Sequence, residues 1–167
     1  MTNLWAPWRM QYILKKGKYK GCIFCVKEEQ EDLRDRLILH VSEKALVIMN
    51  RFPYNNGHLL VAPLRHCAGL DDLSSEELLE VADLVRVATR ILGKVMMPAG
   101  FNIGLNLGAA AGAGIADHLH FHVVPRWSGD TNYMAVVGEI RVIPEHLLAT
   151  YDRLVPYFND LTKGGDK

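Results

Sequence analysis

Three histidines at alternate positions, His118, His120 and His122, are the densest chemistry in the sequence, with Leu119, Phe121 and Val123 between and after them. On an extended strand, side chains alternate faces, so the three imidazoles share one face and the apolar residues turn to the core. Imidazole is the side chain whose ordinary pKa lies near neutrality. Three of them side by side supply a nucleophile and neighbours that orient it or shuttle protons. Two other readings stand beside this one: a solvent-facing strand that carries histidine incidentally, and a zinc site. Three histidines on one strand converge poorly on a single metal.

Two further features have the right residue types. Gly104-Leu105-Asn106-Leu107-Gly108 and the small-residue run to Gly114 end just before the histidines. Small residues let a phosphate approach backbone N–H groups closely, although a Gly/Ala-rich stretch alone reads equally as a flexible turn. Cys22-x-x-Cys25 is a metal knuckle, a redox pair or a coincidence; the thioredoxin-like context of a redox pair is absent. Cys67 reads as a small buried residue.

These residues need elements to hold them. A short helix is expected over Trp5–Lys16 and a charged loop or frayed helix over Gln30–Arg36. Strands are expected over Leu37–Val41, Ala45–Met49 and His58–Ala62. The turn-rich connection Asn50–Gly57 suits a hairpin. The clearest helix lies within Asp71–Met97. Ser74 and Glu77 form a capping-box pattern, Leu78, Ala82, Val85, Thr89 and Leu92 fall at helical spacing, and Pro98 ends the run. Strands over Phe101–Leu107 and Leu119–Pro125 follow, then a helix from Pro144 to about Phe158. Hairpin-like strands around one long helix imply an α+β fold with an antiparallel sheet.

The 167 residues suit one domain, and 49% hydrophobic content with mean hydropathy +0.02 is enough for a real core. Nineteen Lys and Arg balance nineteen Asp and Glu, so a broad electrostatic footprint for nucleic acid or an anionic membrane is not expected. No apolar run reaches membrane-spanning length, and the N-terminus has no secretory pattern. Three cysteines do not form a disulfide framework, and a reducing, cytoplasmic setting fits best.

The string from His118 to Val124, followed by Pro125-Arg126, resembles the signature of the histidine-triad (HIT) family at motif level from Ala45 to Trp127. The resemblance implies a five-stranded antiparallel sheet with one long helix, usually dimerised into ten strands. It divides the chain into an N-terminal extension (1–36) with the possible knuckle, a core (37–127) and a C-terminal extension (128–167). It implies that His120 is the nucleophile of a nucleotidyl-histidine intermediate and that His122 supports the phosphate. Asn50 matches the ribose-side polar residue, His58 the phosphate-side histidine and Asn106 a pocket-lining polar residue, with Ser128 a further donor.

Many members carry glutamine four residues before the first triad histidine, where this chain has Gly114, a smaller residue that opens room near the phosphorus. Leu4–Met10, Gly104–Gly108, the stretch to Gly114, His118–Trp127 with an aromatic after Pro-Arg, and Gly129–Met134 are similar to the diadenosine tetraphosphate phosphorylase branch. That branch implies inorganic phosphate as acceptor, with ADP and ATP as products. Dinucleoside polyphosphate hydrolysis, nucleoside phosphoramidate hydrolysis and a zinc-stabilised nucleotide-binding module are the alternatives. Relatives with a Cys pair imply structural zinc on Cys22, Cys25, His66 and His118, with no organic cofactor.

Overall fold

The computed structural model describes residues 21–26, 32–130 and 145–162. In chain order these form α1 (Leu33–Arg36), β1 (Ile38–Val41), β2 (Ala45–Met49), β3 (Leu59–Pro63), α2 (Ser75–Met96), β4 (Gly100–Leu105), β5 (Phe121–Arg126) and α3 (Leu147–Asn159), with 3-10 turns at Ala109–Ala111 and Asp160–Thr162. The expected helix over 5–16 lies outside the described residues, as do positions 30, 31 and 144. No helix among the described residues is long and apolar enough to cross a membrane.

The strands form one sheet in the order β1-β2-β3-β5-β4, with every neighbouring pair antiparallel. β2 and β3 are apolar at every position and buried at every position, as strands covered on both faces must be. β4, at the sheet edge, is exposed over its middle. The expected α+β class and five antiparallel strands are what the chain forms.

α2 starts as the sequence indicates. Ser74 Oγ accepts from Glu77 N–H and the Glu77 carboxylate accepts from Ser74 N–H, which satisfies two end donors reciprocally. Met97 closes the helix in a left-handed conformation at φ 48, one residue before Pro98. The buried stripe, however, is Val81, Leu84, Val87, Ala88, Ile91 and Leu92. Of the stripe expected from spacing, Leu92 is buried and Val85 is half-buried against the core, while Ala82 is exposed and Leu78 is 41% exposed. The helix carries two apolar stripes with the same period, and contact with β2, β3 and β5 selects the other one.

Several ends also differ: β3 runs one residue later than expected, and β4 runs from Gly100 and stops at Leu105, two residues early. β1 begins after Leu37, which caps α1 in a left-handed conformation at φ 64. α3 begins at Leu147 with the His146 side chain accepting from Leu148 N–H. β5 begins at Phe121, not at Leu119. The β3–β5 register pairs Leu59 with Val123 and Val61 with Phe121. Continuing it would oppose Leu119 to Pro63, which has no N–H to give. Leu119 N–H donates instead to Cys67 O at 2.7 Å.

Several contacts seat the periphery. The Arg36 guanidinium donates to Ile23 O at 2.7 Å and Cys25 O at 3.1 Å, fixing residues 22–25 over the sheet. Tyr151 Oη donates to Ile38 O and Arg34 pairs with Asp152, which seats α3. In the β2–β3 loop, Gly57 takes φ +72 and its Cα side faces Met96 Sδ, which would sit 2.5 Å from any added Cβ.

Candidate active site

The histidines do not lie on an open strand face. His118, His120 and His58 are 0%, 5% and 1% exposed, which removes the reading of a solvent-facing strand. His118 and His120 precede β5, and His122 lies within it. The rings still gather in one seam. Those of His120 and His122 are 5.0 Å apart edge to face, and those of His122 and His58 are 5.1 Å apart.

Hydrogen-bond polarity orders the seam. His120 Nδ1 lies 2.8 Å from His118 O. A carbonyl only accepts, so Nδ1 carries the proton and Nε2 carries the lone pair. On the other side, Tyr54 N–H donates to His58 Nδ1 at 3.1 Å. Asn50 Nδ2 stands 3.2 Å from the same atom, its amide oriented by Phe52 N–H donating to Oδ1. His58 Nδ1 is therefore the acceptor, and His58 Nε2–H donates to His122 Nδ1 at 3.0 Å. His122 Nε2 must then carry a proton. It is buried and has no partner among the described residues. An orphaned buried donor costs about 1–3 kcal/mol, so the fold leaves it ready for an incoming oxygen. Burial first, and the neighbouring His120 second, hold the His122 pKa below its ordinary 6.5, which favours the neutral, ordered tautomer.

The arrangement therefore presents a nucleophilic nitrogen on His120 beside a hydrogen-bond donor on His122. As His120 bonds to an electrophile its ring gains positive charge, and His118 O, accepting from Nδ1–H, is already placed to stabilise it.

The structure gathers Asn50, His58, His118, His120 and His122. It does not tie the other candidates to them. Asn106 makes a long 3.5 Å contact to Gly112 O, bracing the Gly/Ala loop. Gly114 and Ser128 are exposed and Trp127 is half-buried. None of these four makes a hydrogen bond or ring contact with a triad histidine among the described residues. Two participants went unread in the sequence. Tyr54 stacks on His58 and His122, with centroids 4.8 and 5.7 Å away, and Phe24 packs on His118 and His120. Tyr54 sits inside the turn-rich loop and Phe24 inside Cys22-x-x-Cys25, where neither has a spacing that marks it.

The cysteines converge with the same histidines. Ligand atoms of Cys22, Cys25, His66 and His118 all lie within 4.8 Å of one another. His118 Nε2 donates to Pro63 O at 2.8 Å, so Nδ1 holds the lone pair. Around that nitrogen stand Cys22 Sγ at 3.2 Å, Cys25 Sγ at 3.8 Å and His66 Nδ1 at 3.2 Å, with Cys25 Sγ 3.3 Å from His66 Nδ1. One lone pair cannot satisfy three such neighbours. A tetrahedral ion with metal–sulfur bonds of about 2.3 Å and metal–nitrogen bonds of about 2.1 Å requires ligand–ligand edges of roughly 3.3–3.8 Å, close to the four distances just given. The donor set fits a closed four-coordinate metal, and the carbonyl behind His118 is the support such a ligand needs. Cys67, beside His66, is 7% exposed, and burial pushes its thiol pKa up, as for a small core residue.

The family model described as HIT domain matches residues 32–129. A Mycobacterium tuberculosis protein named AP-4-A phosphorylase is 39% identical over 157 residues, covering 90% of this chain and 80% of its own. A Schizosaccharomyces pombe protein named adenosine 5'-monophosphoramidase is 32% identical, covering 64% of this chain and 68% of its own. Among solved structures, a zinc-bound histidine triad family protein from Mycobacterium smegmatis superposes with TM-score 0.61 at 27% identity, covering 76% of this chain and 86% of its own. The family match spans the sheet and the histidine seam described above, and the phosphorylase-named relative extends over most of the chain. The chain belongs to the HIT family.

Proposed function

We propose that the protein is a nucleotidyl transferase that cleaves dinucleoside polyphosphates through a covalent intermediate on His120 and passes the nucleotidyl group to inorganic phosphate. The observation that carries this reading is the orphaned His122 Nε2–H beside a His120 ring whose lone pair is confined to Nε2. His120 Nε2 attacks the α-phosphorus of diadenosine tetraphosphate. The P–N bond forms, the α–β bridging P–O bond breaks, and ATP leaves with that bond's electron pair. His122 Nε2–H supports the phosphate oxygens, held in its tautomer by His58 and Asn50. A phosphate oxygen then attacks the same phosphorus, the P–N bond breaks, and ADP departs. Splitting one displacement into two is the gain from a covalent nucleophile.

Phosphate as acceptor is supported by the 39% identity to a relative named AP-4-A phosphorylase. It is also supported by Gly114, around whose added Cβ nothing lies within 4 Å. Asn106, Gly114, Trp127 and Ser128 are proposed to line the bound polyphosphate. Cys22, Cys25, His66 and His118 are proposed to hold zinc, a reading supported by the donor set and by the zinc-bound relative. The ion would supply rigidity to the histidine segment. A homodimer joined along β4 is proposed because that edge strand exposes Ile103 by 50%. A reducing cytoplasmic setting suits the thiol ligands.

The test is incubation with diadenosine tetraphosphate with and without phosphate. ADP plus ATP, formed only with phosphate and absent in His120→Ala, is the expected result. AMP plus ATP without phosphate would replace the phosphorylase reading with a hydrolase. Failure of labelled nucleotide to attach to the wild-type protein would end the nucleotidyl-transfer reading.

A further inference from the structure

The segment that brings the thiols to His118 also touches the nucleophile. Between half-buried Cys22 and Cys25, Ile23 is 40% exposed and Phe24 is 0% exposed. The Phe24 ring lies 5.1 Å from that of His118 and 4.8 Å from that of His120, tilted 30° to the latter. A ligand-bearing turn does not itself require a buried aromatic between its cysteines.

The connections form a closed circuit. Cys22 Sγ and Cys25 Sγ face His118 Nδ1. His118 O accepts from His120 Nδ1–H at 2.8 Å. The His120 face meets Phe24, and Phe24 returns to the cysteines on either side. The Arg36 guanidinium holds the carbonyls of Ile23 and Cys25, so the turn cannot drift from the sheet. An imidazole tethered through one ring nitrogen can still pivot about that hydrogen bond. A flat ring packed on its face removes the pivot, and a misplacement of about 1 Å at a reacting atom costs as much as 10²-fold in rate.

We propose that Phe24 is a positioning residue for the reaction: the Cys22–Cys25 turn, closed by a metal on the Cys2His2 cluster, presses Phe24 against His120 and keeps Nε2 aimed at the α-phosphorus. This rests on the reading of His120 as nucleophile. The metal cluster then governs the aim of a nitrogen it does not bind, by way of His118 on one side and Phe24 on the other. No substrate atom need touch the cluster.

Phe24→Leu keeps an apolar side chain and removes the flat face, while Phe24→Tyr keeps the face. In the full chain loaded with zinc, Phe24→Leu is expected to retain the wild-type zinc content and a KM for diadenosine tetraphosphate within about twofold. Its single-turnover transfer of labelled nucleotide to His120 falls about tenfold or more, and Phe24→Tyr recovers most of the loss. Nitrogen-15 histidine spectra supply a readout independent of turnover. The His120 Nδ1–H signal shifts or broadens in Phe24→Leu, and it does so in the wild type when a chelator removes the metal. An unchanged transfer rate in folded Phe24→Leu would overturn the proposal. So would a rate that falls only in proportion to lost zinc. If Phe24→Leu does not fold, the wild-type spectra with and without metal decide, and an unmoved His120 signal overturns it. A wild-type protein that takes no label sinks the nucleophile reading instead, and those spectra report on His120 positioning apart from that outcome.

Discussion

His58 accepts at Nδ1 from the Tyr54 N–H, and that one contact propagates through two rings to decide which nitrogen of His122 is protonated. Removing the His58 ring leaves His120, the proposed nucleophile, intact but frees His122 to adopt either tautomer. His58→Leu is expected to lower the single-turnover rate about 10- to 100-fold and still label His120. His122→Ala, which removes the donor itself, is expected to cost about 10²–10³-fold. Equal effects, or no effect of His58→Leu, would break the proposed order of donors. The same order predicts a pH response. A second proton on His122 would meet the His58 Nε2–H head-on, so the rate falls as His122 becomes charged. Burial and His120 lower that pKa, so the acid limb of the pH–rate profile lies below the 6.5 of free imidazole. An acid limb centred above that value, still present in His58→Leu, would assign it to another group.

At the scale of elements, what is local in the chain was legible and what is long-range was not. The Ser74–Glu77 cap and the apolar run Ala45–Met49 were legible because each depends on neighbours a few positions away. The His-Leu-His-Phe-His alternation marked a strand that starts only at Phe121, with His118 and His120 buried ahead of it. The buried face of α2 was not legible, since Leu78 and Val81 offer equivalent periodicity until a sheet selects between them. The late start of β5 depends on Pro63, more than fifty positions earlier, lacking an N–H. Phe24 on His120 is a contact that no spacing rule reports. The Cys2His2 set was legible only through resemblance, because its members fall in three separate segments. The β2–β3 loop allows a test at this scale. Gly57→Ala places a Cβ at a left-handed residue and against Met96. It is expected to destabilise the protein by about 1–2 kcal/mol or more in urea titration and to raise KM, since Asn50 and Tyr54 share the loop. A neutral Gly57→Ala would show that the loop relaxes freely away from α2.

For the whole molecule, the cluster of two thiols and two imidazoles ties the segment before α1, the turn after β3 and the approach to β5 into one point. Chelation, or Cys22→Ser, is expected to lower the thermal midpoint by roughly 5–10 °C, reversibly on adding zinc for the wild type. Purified protein containing no zinc, with a midpoint indifferent to chelator, would remove the metal from the account. The 96 positions that separate Cys22 from its neighbour His118 carry a consequence for biogenesis. Chains acquire structure while they are still being made, yet a copy halted between residues 25 and 118 owns the cysteine pair and neither His118 nor the rest of the histidine seam. On the proposed zinc and His120 readings, capture of the ion and competence toward phosphorus arrive in the same late event. On the same readings an unfinished copy transfers no nucleotide, and that activity needs no restraint before the chain is complete.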